Sequence, residues 1–164
     1  MDMALQDIKV LDLTHGIAGP YCTKMLADYG ADVVKVEKPS SGDFARRLGP
    51  FPSDIPDIEK SGLFLLLNTN KRGITLNLKA DQAQDIVLEL VKTVDVVVEN
   101  FSYGTMESLG FDYRVLKEIN PSIIVTSLSA TGSSPGPWSE LVSYGPSISA
   151  LYGVKSLLGY HDSG

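Results

Sequence analysis

Five strand-length runs, each close to continuous in valine, isoleucine and leucine, constrain this chain most. They are IKVLDL (Ile8–Leu13), ADVVKVE (Ala31–Glu37), GITLNL (Gly73–Leu78), DVVVENF (Asp95–Phe101) and SIIVTSLS (Ser122–Ser129). Runs of this kind belong to strands covered on both faces, the condition of a parallel sheet. Helical signals lie between them. YCTKMLADYG (Tyr21–Gly30) places Met25, Leu26 and Tyr29 on one face and ends at a glycine suited to closing a helix. ADQAQDIVLELVKTV gives a stripe of Ile86, Val87, Leu90 and Val91. YRVLKEIN is a short helix closed by Asn120-Pro121, and SYGPSISALYGVKSLLG reads as a last helix starting near Pro146. Only KPSSGDFARRLGPFPSDIPDIEKSG breaks the rhythm, as a surface excursion holding at most one short helix. Strands alternating with helices and joined by right-handed crossovers predict an α/β fold: a Rossmann-like, doubly wound, mainly parallel sheet with helices on both faces.

Composition narrows the function classes. At 164 residues the chain has the size of one domain. Its net charge of −6 argues against nucleic-acid binding, which needs a dense basic stripe. The single cysteine, Cys22, excludes an internal disulfide framework and fits a cytoplasmic protein. With it, the two distant histidines His15 and His161 form no ligand-spacing pattern, so no metal is expected. No apolar run approaches the roughly 20 residues of a membrane helix. The N-terminus lacks the basic and apolar regions of a signal peptide.

In a doubly wound sheet, ligands sit outside the carboxyl ends of the strands, so the turn after the first strand comes first. Gly16-Ile17-Ala18-Gly19-Pro20 has two glycines without the G-x-G-x-x-G spacing, and Pro20, read at the first helical position, lacks an N–H that a pyrophosphate would use. Glu37, at a strand end about twenty residues on, imitates the acid that binds an NAD ribose. The residues alone leave open a nucleotide-type ligand, NAD among them, or a plain strand-to-helix turn.

A longer pattern bears on that choice. LDLTHGIAGPYCTKMLADYGADVVKVEKPSSGD, NTNKRGITLNLK, VDVVVENFSYGTMESLGFDY and NPSIIVTSLSATGSSPGP resemble, in order and spacing, the class III coenzyme A transferase (CaiB/BaiF) family, with its formyl-CoA and carnitine-CoA transferases and acyl-CoA racemases. The likeness runs from about Leu5 to Gly159 and implies an N-terminal, CoA-binding Rossmann-like domain over residues 1–164, part of a longer chain. It implies an acyl-CoA and a carboxylic acid acceptor as partners, coenzyme A as the bound group, and a homodimer.

By the same resemblance, Ile17 and Ala18 match the turn against the CoA, and Lys38 stands where an arginine often packs on the adenine. Leu76, Asn77, Leu78 and Lys79 match the adenosine end, and Asn100, Phe101 and Ser102 match the region beneath the pantetheine and phosphates. Ser108 and Ser129 stand where some relatives carry cations, a loss that weakens the grip on the CoA phosphates unless Lys71, Arg72 or Lys79 substitutes. Arg46 and Arg47 position the GDF loop or are merely solvated, and Glu99 orients the ENF turn or caps its strand.

The family's chemistry is nucleophilic: an aspartate attacks the acyl-CoA thioester, giving a mixed anhydride and then an aspartyl-CoA thioester. Its position is expected beyond Gly164, so no catalytic residue is assigned and this chain alone is predicted inactive. Asp162 reads as turn chemistry. Tyr144 and Gly145 stand where a racemase would carry histidine and aspartate, which weakens that branch. Cys22 reads as a small core or interface residue, and His15 as a locally satisfied strand-end histidine. The other readings are a non-catalytic CoA-binding or subunit module and, third, an NAD-binding domain.

Overall fold

The computed structural model describes residues 2–132, 134–141 and 143–159. Five parallel strands form one sheet in the order β3-β2-β1-β4-β5. They are β1 (Lys9–Asp12), β2 (Asp32–Glu37), β3 (Lys71–Thr75), β4 (Val96–Glu99) and β5 (Ile124–Ser127). The helices are α1 (Ala18–Asp28), α2 (Gly62–Leu67), α3 (Asp81–Val91), α4 (Thr105–Ser108), α5 (Tyr113–Ile119) and α6 (Gly145–Leu151). Strand order grows outward from β1 through β2 to β3, then restarts on the other side with β4. The reversal opens a crevice between the carboxyl ends of β1 and β4.

Side chains alternate across each strand, and the two faces bury different chemistry. Leu11, Leu13, Val36 and Val97 pack beneath α3 and α5, with Val87, Val91, Phe111 and Leu116. Val10, Val33 and Val98 face the other way, with Ala27 of α1. Along that second face the apolar residues give way, toward the strand ends, to buried Asp12, Lys35 and Glu37.

The element boundaries depart from the sequence expectation at several points. Helix α1 buries its small residues Gly19, Pro20, Thr23 and Ala27, whereas Met25 and Tyr29 are exposed. The sheet admits only a close-packed helix here, because a Cβ on Gly19 would lie 2.3 Å from Thr14 Cβ. Ile17 is the N-cap of α1, so Pro20 occupies the third helical position, where a missing N–H is equally harmless. On α3 the buried stripe is Ala83, Val87 and Val91, and Ile86 is exposed. The excursion after β2 holds short 3-10 turns at Phe44–Arg47 and Pro52–Asp54. Then α2 begins where no helix was expected, capped by Ser61 Oγ accepting from Phe64 N–H at 3.1 Å. Strand β3 starts two residues before the predicted run and ends at Thr75. The last predicted helix is α6 followed by a separate 3-10 turn, broken at Gly153 with φ of +76°.

Candidate functional site

The turn Thr14–Gly16 leads from β1 into α1 at the crevice, and side chains from distant elements hold its backbone. Thr14 N–H donates to Asp12 Oδ1 at 2.9 Å, and Thr14 O accepts from Lys35 Nζ at 2.7 Å. His15 N–H donates to Asn100 Oδ1 at 2.8 Å, and His15 O accepts from Asn100 Nδ2 at 2.7 Å. Gly16 N–H donates to Asp43 Oδ1 at 2.8 Å. Four side chains therefore fix five consecutive backbone groups, which pre-organises the turn. Gly16 has φ of +83°, and a Cβ there would lie 2.5 Å from the Phe44 ring.

The supporting charges are paired beneath this turn. Asp12 Oδ2 accepts from Thr23 Oγ1 at 2.6 Å and from Lys71 Nζ at 3.1 Å, and Lys71 also donates to Pro20 O and Asn68 Oδ1. Burial pulls the Lys71 ammonium below its ordinary value despite the attraction and hydrogen bond of Asp12. Lys35 Nζ lies 3.0 Å from Asp43 Oδ2. Glu37 receives Arg46 through both oxygens, at 2.7 and 2.8 Å, and accepts Asp43 N–H at 2.9 Å. Burial alone would raise its carboxyl, but these hydrogen bonds outweigh it and leave it below 4.5. Such pairs are costly to break, because removing one partner strands a buried charge.

An open cleft of about 830 Å³ lies over the turn. His15, Ile17, Ala18 and Phe44 form one wall, and Asn100, Phe101 and Ser102 form the floor. Leu128–Thr131 and the start of α6 form the far wall, where Tyr144 meets the Phe44 ring edge-on at 6.1 Å. A smaller chamber of about 300 Å³ adjoins it, sharing Phe101, Ser102 and Ser129. Ile17, Ala18, Asn100, Phe101 and Ser102 are thus brought together. Lys38 and Leu76–Lys79 stand apart from the cleft wall, after the ends of β2 and β3 on the same edge of the sheet. Leu76 and Leu78 turn inward onto the core, while Lys38, Asn77 and Lys79 are exposed.

Several alternatives resolve on these contacts. Glu37 is bound by Arg46 and cannot receive a ribose, which removes the ground for NAD. Arg46 is a structural residue, also stacked 3.6 Å over the Phe64 ring, and Arg47 donates to Ser41 O. Glu99 accepts Phe101 N–H at 2.7 Å and so orients the ENF turn. Lys71 is buried in its pair with Asp12 and is not free to replace a missing cation, whereas Arg72 pairs with Asp32 at the surface. Among the described residues, Lys38 and Lys79 carry no ion pair. Ser108 bonds only Thr105 O, and Ser129 Oγ is buried without a partner among the described residues. Burial raises the Cys22 thiol, as fits an inert packing residue. Burial also lowers His15 below 6.5, against the attraction of Asp43. His161 and Asp162 lie outside the described residues.

Sequence reasoning missed the buried network. Part of its signal was present, as Asp12, Lys35 and Glu37 at alternate positions of otherwise apolar strands, but the partners Asp43, Arg46 and Lys71 come from segments that show no such pattern.

A parallel sheet with a pre-organised turn and an apolar-walled cleft at its switch point defines a ligand-binding α/β domain. Residues 5–164 match the model of CoA-transferase family III, and the chain belongs to that family. It is 41% identical over 162 residues to a formyl-CoA:oxalate CoA-transferase of Rhodopseudomonas palustris, covering 99% of this chain and 37% of that protein. It is 50% identical over 129 residues to a succinyl-CoA:mesaconate CoA-transferase of Haloarcula marismortui, covering 79% of this chain and 32% of the relative. Among solved structures, a CAIB/BAIF family protein from Brucella suis superposes with a TM-score of 0.87 at 35% identity, over 99% of this chain and 43% of that one. The chain thus spans well under half the length of these relatives.

Proposed function

We propose that this chain is the CoA-binding domain of a class III CoA-transferase, an enzyme that moves CoA between an acyl-CoA and a carboxylic acid. The observation that carries the reading is the convergence of Ile17 and Ala18 with Asn100–Ser102 on one cleft at the switch point. Ile17, Ala18, Phe101 and Leu128 offer apolar walls that suit a pantetheine arm, and Lys38 and Lys79 stand along the sheet edge as cations for phosphates. Asn100 lines the cleft and at the same time holds the turn, its amide exchanging two hydrogen bonds with the His15 backbone.

No aspartate or glutamate lines the cleft among the described residues. The attacking carboxylate, which the family resemblance places further along the chain, is assigned to a segment outside them, and residues 2–159 supply binding and orientation. Division of one acyl exchange into two steps through an aspartyl intermediate is the chemistry this arrangement would serve. A homodimer is part of the proposal. It is supported by the apolar side chains left open near the C-terminus, with Tyr152 62%, Leu157 84% and Leu158 75% exposed. A cytoplasmic setting accords with an unpaired Cys22. No helix of the described residues is long and apolar enough to cross a membrane.

Isothermal titration of the 164-residue chain with CoA and with NAD tests the reading, alongside a transferase assay. Binding of CoA in preference to NAD, without turnover, is the expected result. Preference for NAD, or transferase turnover by this chain, would overturn it.

A further inference from the structure

We propose that Asp43 is the positioning residue of the cofactor-facing turn, hooking Gly16 to the Ser40–Arg47 loop over a buried Lys35. Asp43 is fully buried and is not part of the cleft wall, so it acts only through what it holds. Its Oδ1 accepts two backbone N–H groups, Gly16 at 2.8 Å and Ala45 at 2.9 Å. One oxygen thus ties the turn after β1 to a loop that begins beyond β2. The second oxygen faces Lys35 Nζ at 3.0 Å, and that ammonium grips Thr14 O at 2.7 Å. The turn is consequently held on both sides of His15 by the same ion pair.

The loop is itself anchored from below. Asp43 N–H donates to Glu37 Oε2, and Arg46 closes on the same carboxylate. With the loop so fixed, Phe44 lies over Gly16 and forms part of the cleft wall beside Ile17. A buried charge pair is a poor way to add stability, since apolar residues of like volume do as well. What it provides here is direction: an acceptor aimed at one N–H, and a charge that keeps the acceptor from turning. Moving Gly16 by loss of that acceptor would move Ile17 and Ala18, which face the ligand.

The proposal rests on the reading of the cleft as a CoA site, and the test separates the two. Two double variants remove both charges, Asp43→Asn/Lys35→Met and Asp43→Ala/Lys35→Met. They differ in whether an acceptor remains for Gly16 and Ala45. CoA affinity is measured by calorimetry at a temperature where circular dichroism shows both folded, and the Gly16 and Ile17 amide resonances are recorded without ligand. The asparagine variant is expected to bind about tenfold or more tightly than the alanine variant, the scale of one to two lost hydrogen bonds. It is also expected to keep the Gly16 amide near its wild-type position. Equal affinities and equal Gly16 resonances in the two variants would overturn the proposal. If the wild-type chain bound no CoA, the CoA reading would fail, and the free-protein resonances would still decide the role of Asp43. Should the alanine variant not fold, Asp43→Asn with and without Lys35→Met replaces it. Rescue of the Gly16 resonance by the second substitution is then expected, and its absence refutes the proposal.

Discussion

Asn100 is the place where the two halves of the sheet are stitched across the crevice. Its amide exchanges two hydrogen bonds with the backbone of His15, at 2.8 and 2.7 Å, across 85 residues of sequence. Asn100→Ala removes both. Each neutral bond contributes on the order of 1 kcal/mol, and the stranded His15 groups, being only partly buried, add to the loss. The expected loss is about 2–3 kcal/mol, or a fall in Tm of roughly 4–12 °C for a domain of this size. Asn100→Asp discriminates further. Its carboxylate still accepts from His15 N–H but opposes His15 O with a second acceptor. At pH 7 it should therefore be at least as destabilised as the alanine variant.

Protonation would restore the donor to the aspartate variant, so its carboxyl should titrate higher folded than unfolded. Relative to wild type, stability is then retained below the ordinary carboxylate value of about 4 and lost as pH rises through the folded one. Thermal and urea denaturation followed by circular dichroism read all of this. An alanine variant within about 0.5 kcal/mol of wild type, or an aspartate variant as stable as wild type at pH 7, would refute the claim that this amide fixes the turn.

Gly19→Ala forces a Cβ to within 2.3 Å of Thr14 Cβ and 2.8 Å of Thr14 Oγ1, so a net loss of about 1–3 kcal/mol is expected despite the better helix former. Unchanged urea stability would show that α1 can lift from the strand without cost. Acid should act in two stages. His15 titrates below 6.5 in the fold, so its part of the stability begins to fall as pH drops below 6.5 and levels off below its folded value. Glu37 is held below 4.5, so its part is present above that and lost as pH falls through its folded value. His15→Gln should remove the upper stage; parallel stability curves for the variant and wild type between pH 7 and 5 would contradict the assignment. Lys79→Ala and Lys38→Ala should each weaken CoA binding about two- to fivefold and flatten its salt dependence, as exposed ionic contacts do. Calorimetry at several salt concentrations checks this, and unaltered affinity in both variants would remove these cations from the site.

The fold was legible because burial on two faces leaves a plain trace: VVKV and VVVE are inner strands of a parallel sheet, and the like run IIVT joins them as the edge strand β5. The turn was legible as the first strand end of a doubly wound sheet, and the ENF segment only through its likeness to the family. The GLFLLL helix was not, because its run is apolar without period and only Phe64 and Leu67 are buried. The face of α1 was misjudged for the opposite reason. Met25, Leu26 and Tyr29 mark an apolar face, yet the buried residues are Gly19, Pro20, Thr23 and Ala27, and Thr14 leaves no room for a Cβ at Gly19. The charged network needed three dimensions: Lys35 and Asp43 look like surface residues until the sheet places both under the turn. Asn100 lines the cleft as the resemblance implies, and what the sequence did not reveal is that its amide also holds the His15 backbone.

The most direct test is a CoA titration of the 164-residue chain followed through its backbone amide resonances. Saturable shifts at Gly16–Ala18, Asn100–Ser102 and Ser129–Thr131, with strand interiors unmoved, are predicted. No shifts at millimolar CoA, or shifts confined to the exposed faces of α1 and α2, would contradict the account.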